Sequence, residues 1–134
     1  MSAILNTKRA SERRLNTLGL PIAFEGSSFT PPNSLYLRCQ FQIRNPDDPV
    51  IGDKYYRERI QLQVFVADVL NTGTGNALEK AELVRGLFPK GHTLIESGTR
   101  IYVLGTPQIS GTIVTNDRLV VPVMIDLVAE VYSE

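Results

Sequence analysis

The chain has no tryptophan, one histidine and one cysteine in 134 residues, and its fourteen basic residues balance fourteen acidic ones. Each scarcity excludes something. A lone cysteine cannot form an intrachain disulfide. One histidine and no cluster of Cys and His at ligand spacing leave no zinc-type site. Zero net charge argues against a protein built chiefly to grip nucleic acid, because phosphate neutralisation dominates that affinity. No apolar run is long enough for a transmembrane helix. Residues 1–14 are polar and lack the apolar segment of a signal peptide, so the protein is expected to stay in the cytoplasm of the cell that makes it, away from membranes. The length fits one domain, 1–134, large enough to bury a core without staples.

What is present is alternation. Leu35, Leu37, Cys39, Phe41 and Ile43 interleave with Tyr36, Arg38, Gln40, Gln42 and Arg44, and Ile60, Leu62, Val64 and Val66 interleave with Arg59, Gln61, Gln63 and Phe65. Period-two alternation puts one set on each side of a strand. Residues 35–68 therefore read as a long antiparallel hairpin with an apolar face and an Arg/Gln face. Its connection, Asn45 to Asp53, is too long for a tight turn.

The rest of the chain arranges itself around that hairpin. Ser2 to Leu18 reads as a helix closed by Gly19, with a thin stripe of Ile4, Ser11, Leu15 and Leu18. Leu20 to Phe24 is a short extended piece, and Glu25 to Ser34 is a loop stiffened by Pro31 and Pro32. A second helix is expected from an Asn76 cap, with Glu79 in capping-box spacing, to about Phe88. Its core stripe is Ala77, Ala81, Val84 and Phe88, flanked by Leu78 and Leu87. Leu94-Ile95 and Arg100 to Leu104 flank a small hairpin turn at Glu96 to Thr99. Gln108 to Thr115 reads as one strand, a turn follows at Asn116-Asp117, and Leu119 to Val131 alternates throughout. Pro122 lacks a backbone donor and belongs at a strand edge or bulge. The order predicts an α+β domain: a mostly antiparallel sheet with a long β-hairpin, and helices packed on one face.

Catalytic and cofactor readings find little support in the residues. Gly73-Thr74-Gly75 sits between a strand and a helix, where phosphate loops occur, but lacks both the third dinucleotide glycine and a following Gly-Lys-Ser/Thr. Cys39 falls on the apolar face of its strand, where cysteine behaves as a small hydrophobe, and His92 lies in a loop, so they do not read as a thiol–imidazole pair. Asp47 and Asp48 are adjacent, not an opposed acid–base pair, and Asp53 completes no calcium-loop pattern. No enzyme activity, cofactor or metal is expected.

The informative surface is the Arg/Gln face: Arg38, Gln40, Gln42 and Arg44 beside Arg57, Arg59, Gln61 and Gln63. The acidic residues are expected elsewhere, apart from Glu58, which the register turns inward or to an edge. Two readings stay open. One is an ordinary solvated sheet face; the other is a surface contacting another subunit or lining a channel that carries a polyanion. Phe29, Pro31 and Pro32, with Asp47, Asp48, Val50 and Ile51, are candidate partner-contact loop residues, since specificity often resides on loops held by a rigid sheet.

Taken together, the ordered motifs resemble the bacteriophage tail terminator-like family, also called tail completion or minor tail proteins. They run from Pro21-Ile22-Ala23-Phe24-Glu25 and Phe29-Thr30-Pro31-Pro32, through Tyr56-Arg57, Gln61 to Phe65 and Gly73-Thr74-Gly75, to Phe88-Pro89-Lys90-Gly91 and Val121-Pro122-Val123. The pattern has a variable loop at 45–53, and here that loop is acidic and Pro-rich in its own way, so loop-level functions carry over poorly. The resemblance implies a non-enzymatic virion protein assembled in the host cytoplasm. Its subunits would form a hexameric ring at the head-proximal end of the tail tube. That ring would stop tube polymerisation, meet the tail tube protein and the head–tail connector or stopper protein, and let genome DNA pass through its lumen without specific binding. The alternatives are a tail tube or other minor tail subunit and, further off, a small nucleotide-binding module.

Overall fold

A computed structural model describes residues 2–49, 54–71, 73–115 and 117–132. In chain order the elements are α1 (Ala3–Asn16), β1 (Ile22–Ala23), β2 (Tyr36–Ile43), β3 (Tyr55–Asp68), α2 (Gly75–Leu87), β4 (Thr93–Glu96), β5 (Thr99–Val103), β6 (Gln108–Ile109), β7 (Ile113–Val114) and β8 (Leu119–Tyr132). They form one curled eight-stranded sheet, ordered β1-β2-β3-β8-β5-β4, with β6 and β7 also paired to β8. Every pairing is antiparallel except the short parallel contact of β1 with β2. The α+β class, the long hairpin and the helices on one face are as the sequence predicts.

The core lies between the inner sheet face and the two helices. Leu37 and Cys39 from β2, Leu62, Val64 and Val66 from β3, and Val121, Val123, Ile125 and Leu127 from β8 meet Ala10 and Leu15 of α1 and Ala77, Ala81, Val84 and Phe88 around α2. The expected α2 stripe is thus fully buried, while Leu78 and Leu83 stay exposed.

Five local expectations are corrected. First, α1 buries Asn6, Thr7 and Ala10 with Ser11 and Leu15, while Ile4 and Leu18 are only half-buried. Small polar residues let the helix lie close. Thr7 Oγ1 donates to the Ala3 carbonyl and Ser11 Oγ to the Thr7 carbonyl, each at 2.7 Å, and Asn6 Nδ2 donates to Thr99 Oγ1 at 2.8 Å. Buried hydroxyls are tolerated because they are bonded.

Second, α2 is capped by Thr74, which makes no side-chain cap bond, so no capping box forms. Asn76 lies inside the first turn, and its Nδ2 donates to Asp68 Oδ2 at 3.3 Å. Third, Ile43, expected on the buried face, is 58% exposed, because it lies at the end of β2 beyond the packed core.

Fourth, the expected strand over 108–115 is two short strands. Ile109 pairs with Val123 but Ile113 pairs with Val120, so one extra residue is accommodated between β6 and β7. Ser110 donates its backbone N–H to the Pro122 carbonyl across this break. A strand residue's N–H and C=O point to the same side, so the donor that Pro122 lacks faces the interruption, as expected of a proline at a bulge.

Fifth, the β2–β3 ladder continues past Ile43. Arg44 donates to the Arg59 carbonyl, and Asp47 and Arg57 exchange backbone bonds at 2.8 Å. Three residues on one strand then match two on the other, a bulge at Asn45-Pro46. The β4–β5 hairpin turns on Ser97 (φ 49°) and Gly98 (φ 82°). Two consecutive positive φ values match the strand twist in a two-residue turn.

Candidate functional site

Directly opposed residues of antiparallel strands share a face. The register pairs Arg38 with Phe65, Gln40 with Gln63 and Gln42 with Gln61. Arg44 follows opposite Arg59, and Asp47 opposite Arg57. The structure therefore brings Arg38, Gln40, Gln42, Arg44, Arg57, Arg59, Gln61 and Gln63 together on the outer sheet face, away from both helices.

The face differs from a plain Arg/Gln surface, and the expectation that acids lie elsewhere is overturned. β8 runs beside β3 and sets Glu130 opposite Arg57 and Asp126 opposite Gln61. It also sets Val128 opposite Arg59, Met124 opposite Gln63 and Pro122 opposite Phe65. The result is a mosaic of charge, amide and apolar surface.

The amides form a directed chain. Gln40 Nε2 donates to Gln63 Oε1 at 2.6 Å, Gln63 Nε2 to Gln61 Oε1 at 2.8 Å, and Gln61 Nε2 to Asp126 Oδ1 at 3.2 Å. Gln63 Nε2 also reaches Gln42 Oε1 at 3.2 Å. A carboxylate only accepts, so Asp126 sets the direction of the whole chain.

At one end of the face, Glu130 accepts from three tyrosines: Tyr102 at 2.8 Å, Tyr55 at 2.9 Å and Tyr132 at 3.3 Å. Burial pushes its carboxyl up, but the tyrosine hydroxyls outweigh that and hold it below the usual glutamate range. Tyr55 and Tyr132 also pack ring on ring at 4.8 Å. Arg57 is ion-paired to Asp47, and that hydrogen bond is the main cause raising its pKa.

The other three arginines differ. Arg38 lies over the Phe65 ring at 4.5 Å, while Arg44 and Arg59 line a depression of about 290 Å³ with Gln61, Leu104, Asp126 and Val128. Arg38, Arg44 and Arg59 are exposed, and none has a carboxylate partner within 4 Å among the described residues.

The candidate loop residues are placed as follows. Phe29 is half-buried with its ring 5.2 Å from Tyr36. Arg118 fastens the same loop, donating to the Ser34 carbonyl at 2.7 Å and to the Pro32 carbonyl, with its guanidinium 5.0 Å over Tyr36. Pro31 is exposed and Pro32 half-buried; Asp47 is half-buried and Asp48 exposed. Val50, Ile51 and Asp53 lie outside the described residues, as does Asn116 of the expected turn. Asp126, Glu130, Arg118 and the tyrosine cluster were missed by sequence reasoning. The available signal was the even-numbered positions of Leu119 to Tyr132, which share one face.

Cys39 is buried, and burial with the nearby Glu12 carboxylate pushes its thiol up to about 11. No group of three or more His, Cys, Asp or Glu side chains able to hold a metal occurs among the described residues, and no helix there is long and apolar enough to cross a membrane.

Comparison with known proteins fixes the family. No curated protein matches the chain. A solved structure that is 24% identical superposes with a TM-score of 0.79, covering 100% of this chain and 99% of its own, which establishes a shared fold. The family model described as "Phage tail terminator protein" matches residues 6–126. Since that match takes in both helices and most of the sheet, this chain belongs to the phage tail terminator protein family.

Proposed function

We propose that this chain is the tail terminator subunit of its phage. Six copies form a ring at the head-proximal end of the tail tube, stop tube polymerisation there and join the tail to the head connector or stopper protein. The ring sits in the neck of the virion after assembly in the host cytoplasm, and genome DNA passes through its lumen without specific contacts. The family is one of structural tail proteins, which supports a role without catalysis.

One observation carries the reading. Among the described residues the sheet has helices on one side only, and its other side presents three arginines without carboxylate partners, beside Phe65 and Leu104. A monomer gains nothing from such a face, whereas a subunit in a ring can set it against a neighbour or the lumen. In this reading at least two of Arg38, Arg44, Arg57 and Arg59 lie at a subunit interface or line the lumen, and the 25–34 and 45–54 loops meet the tube and connector.

The test is native mass spectrometry of the purified protein with and without tail tube subunits, coupled to electron microscopy of particles. A six-subunit species and a single ring at the head end of the tail are expected. A strict monomer under both conditions would sink the reading, and a stack of rings along the tail would reassign the protein to the tube.

A further inference from the structure

The chain is neutral overall, and its outer sheet face carries Arg38, Arg44 and Arg59 with no carboxylate within 4 Å among the described residues, beside Asp126 and Glu130 on the same face. On the opposite side of the molecule, α2 turns a different patch to solvent. Ala77, Ala81 and Val84 face the core, so Leu78, Glu79, Glu82 and Leu83 make up its outer stripe. Leu78 is 38% and Leu83 47% exposed, large values for leucine on a helix that already buries one face. Glu82 has no cation within 4 Å among the described residues, and Glu79 has only Lys80, at 3.7 Å.

The two patches are opposite in charge, and each carries exposed leucine. One offers paired leucines flanked by two carboxylates. The other offers the depression between Arg44 and Arg59, with Leu104 and Val128 among its lining residues. Asp126 also lines it and accepts from Gln61, so two guanidiniums against one carboxylate leave the depression with a net positive charge.

We infer that the occupant of the Arg44/Arg59 depression is the outer stripe of α2 from a second copy of this chain. The contact is heterologous: sheet face on one subunit, helix back on the next. Contacts of this kind generate rings when the rotation closes. A self-complementary sheet-to-sheet contact would leave Leu78 and Leu83 of α2 uncovered. The inference rests on the ring reading above and specifies the surfaces that build it.

The test uses charge reversal at surface positions, with circular dichroism to confirm folding. Arg44→Glu/Arg59→Glu should convert the ring to the 14.9 kDa monomer, and Glu79→Arg/Glu82→Arg should do the same. The quadruple variant, with both patches reversed, should return to the ring mass. So should a one-to-one mixture of the two double variants, as alternating copies. If either double variant keeps the ring, or the quadruple variant stays monomeric while folded, the assignment of surfaces is overturned and the ring reading stands. If the unaltered protein stays monomeric even with tube subunits, the ring reading itself fails and this inference with it.

Discussion

Phe88 anchors α2 to the sheet, and its removal gives a quantitative check on the core. The helix's other inward residues are Ala77, Ala81 and Val84, which are small, whereas Phe88 is the largest fully buried side chain in the molecule, at 0% exposure. Phe88→Ala combines lost burial with a cavity the sheet cannot close, a cost of about 3–5 kcal/mol. A domain of this size has about 5–15 kcal/mol in total. With an unfolding entropy of about 2.1 cal/mol/K per residue, roughly 0.28 kcal/mol/K for the chain, a loss of about 4 kcal/mol lowers Tm by about 14 °C. Leu83→Ala, on the exposed side of the same helix, should change stability by no more than about 0.5 kcal/mol. The assay is thermal and urea unfolding followed by circular dichroism, at a dilution where assembly does not contribute to stability. A Tm drop under about 5 °C for Phe88→Ala, or equal effects of the two substitutions, would refute the view that α2 is held through this one side chain.

Three further outcomes are expected. The Glu130 carboxylate is held below its ordinary range in the folded state, so its stabilisation is present above the unfolded value of about 4.3 and is lost as pH falls through the folded one; the stability gap between the native protein and Glu130→Gln should be flat near neutral pH and shrink in acid, and a gap that grows in acid would reverse the sign. Arg118→Ala should raise amide hydrogen exchange in residues 27–34 and leave β3 unchanged, because the guanidinium holds the Pro32 and Ser34 carbonyls; unchanged exchange in the loop would show that Phe29 and Tyr36 suffice. Cys39, 2% exposed and with its thiol pushed up to about 11, should resist a thiol reagent at pH 8 until the protein is unfolded; rapid labelling of the folded protein would contradict its burial.

The hairpin was legible because alternation fixes the face of every side chain once one face is apolar. That reasoning placed all eight Arg and Gln residues on one surface. Strand neighbours were not legible. The acids of β8 fall among the arginines only because β8 docks beside β3, a pairing of distant segments that no local pattern encodes. The even positions of β8 also carry Val120, Pro122, Met124 and Val128, so the strand is apolar on much of both faces and its alternation is blurred. The Asn76 cap failed because the helix begins one residue earlier, at Gly75, which puts Asn76 inside the first turn, where its Nδ2 donates to Asp68.

The pairing of β3 with β8 also governs when this protein can fold. β3 and β8 are the longest strands, and their closest-spaced partners, Asp68 and Leu119, are separated by 50 residues of chain. During synthesis β3 emerges long before its central partner exists, with Ile60, Leu62, Val64 and Val66 uncovered along one face and a full backbone edge unpaired. Until β8 leaves the ribosome, that edge is a template for any other extended chain, including β8 of an older copy. Large loop closures of this kind slow folding. The chain is therefore most vulnerable to cross-pairing in the interval between β3 and β8, and its yield should depend on temperature and translation rate more steeply than its equilibrium stability would suggest.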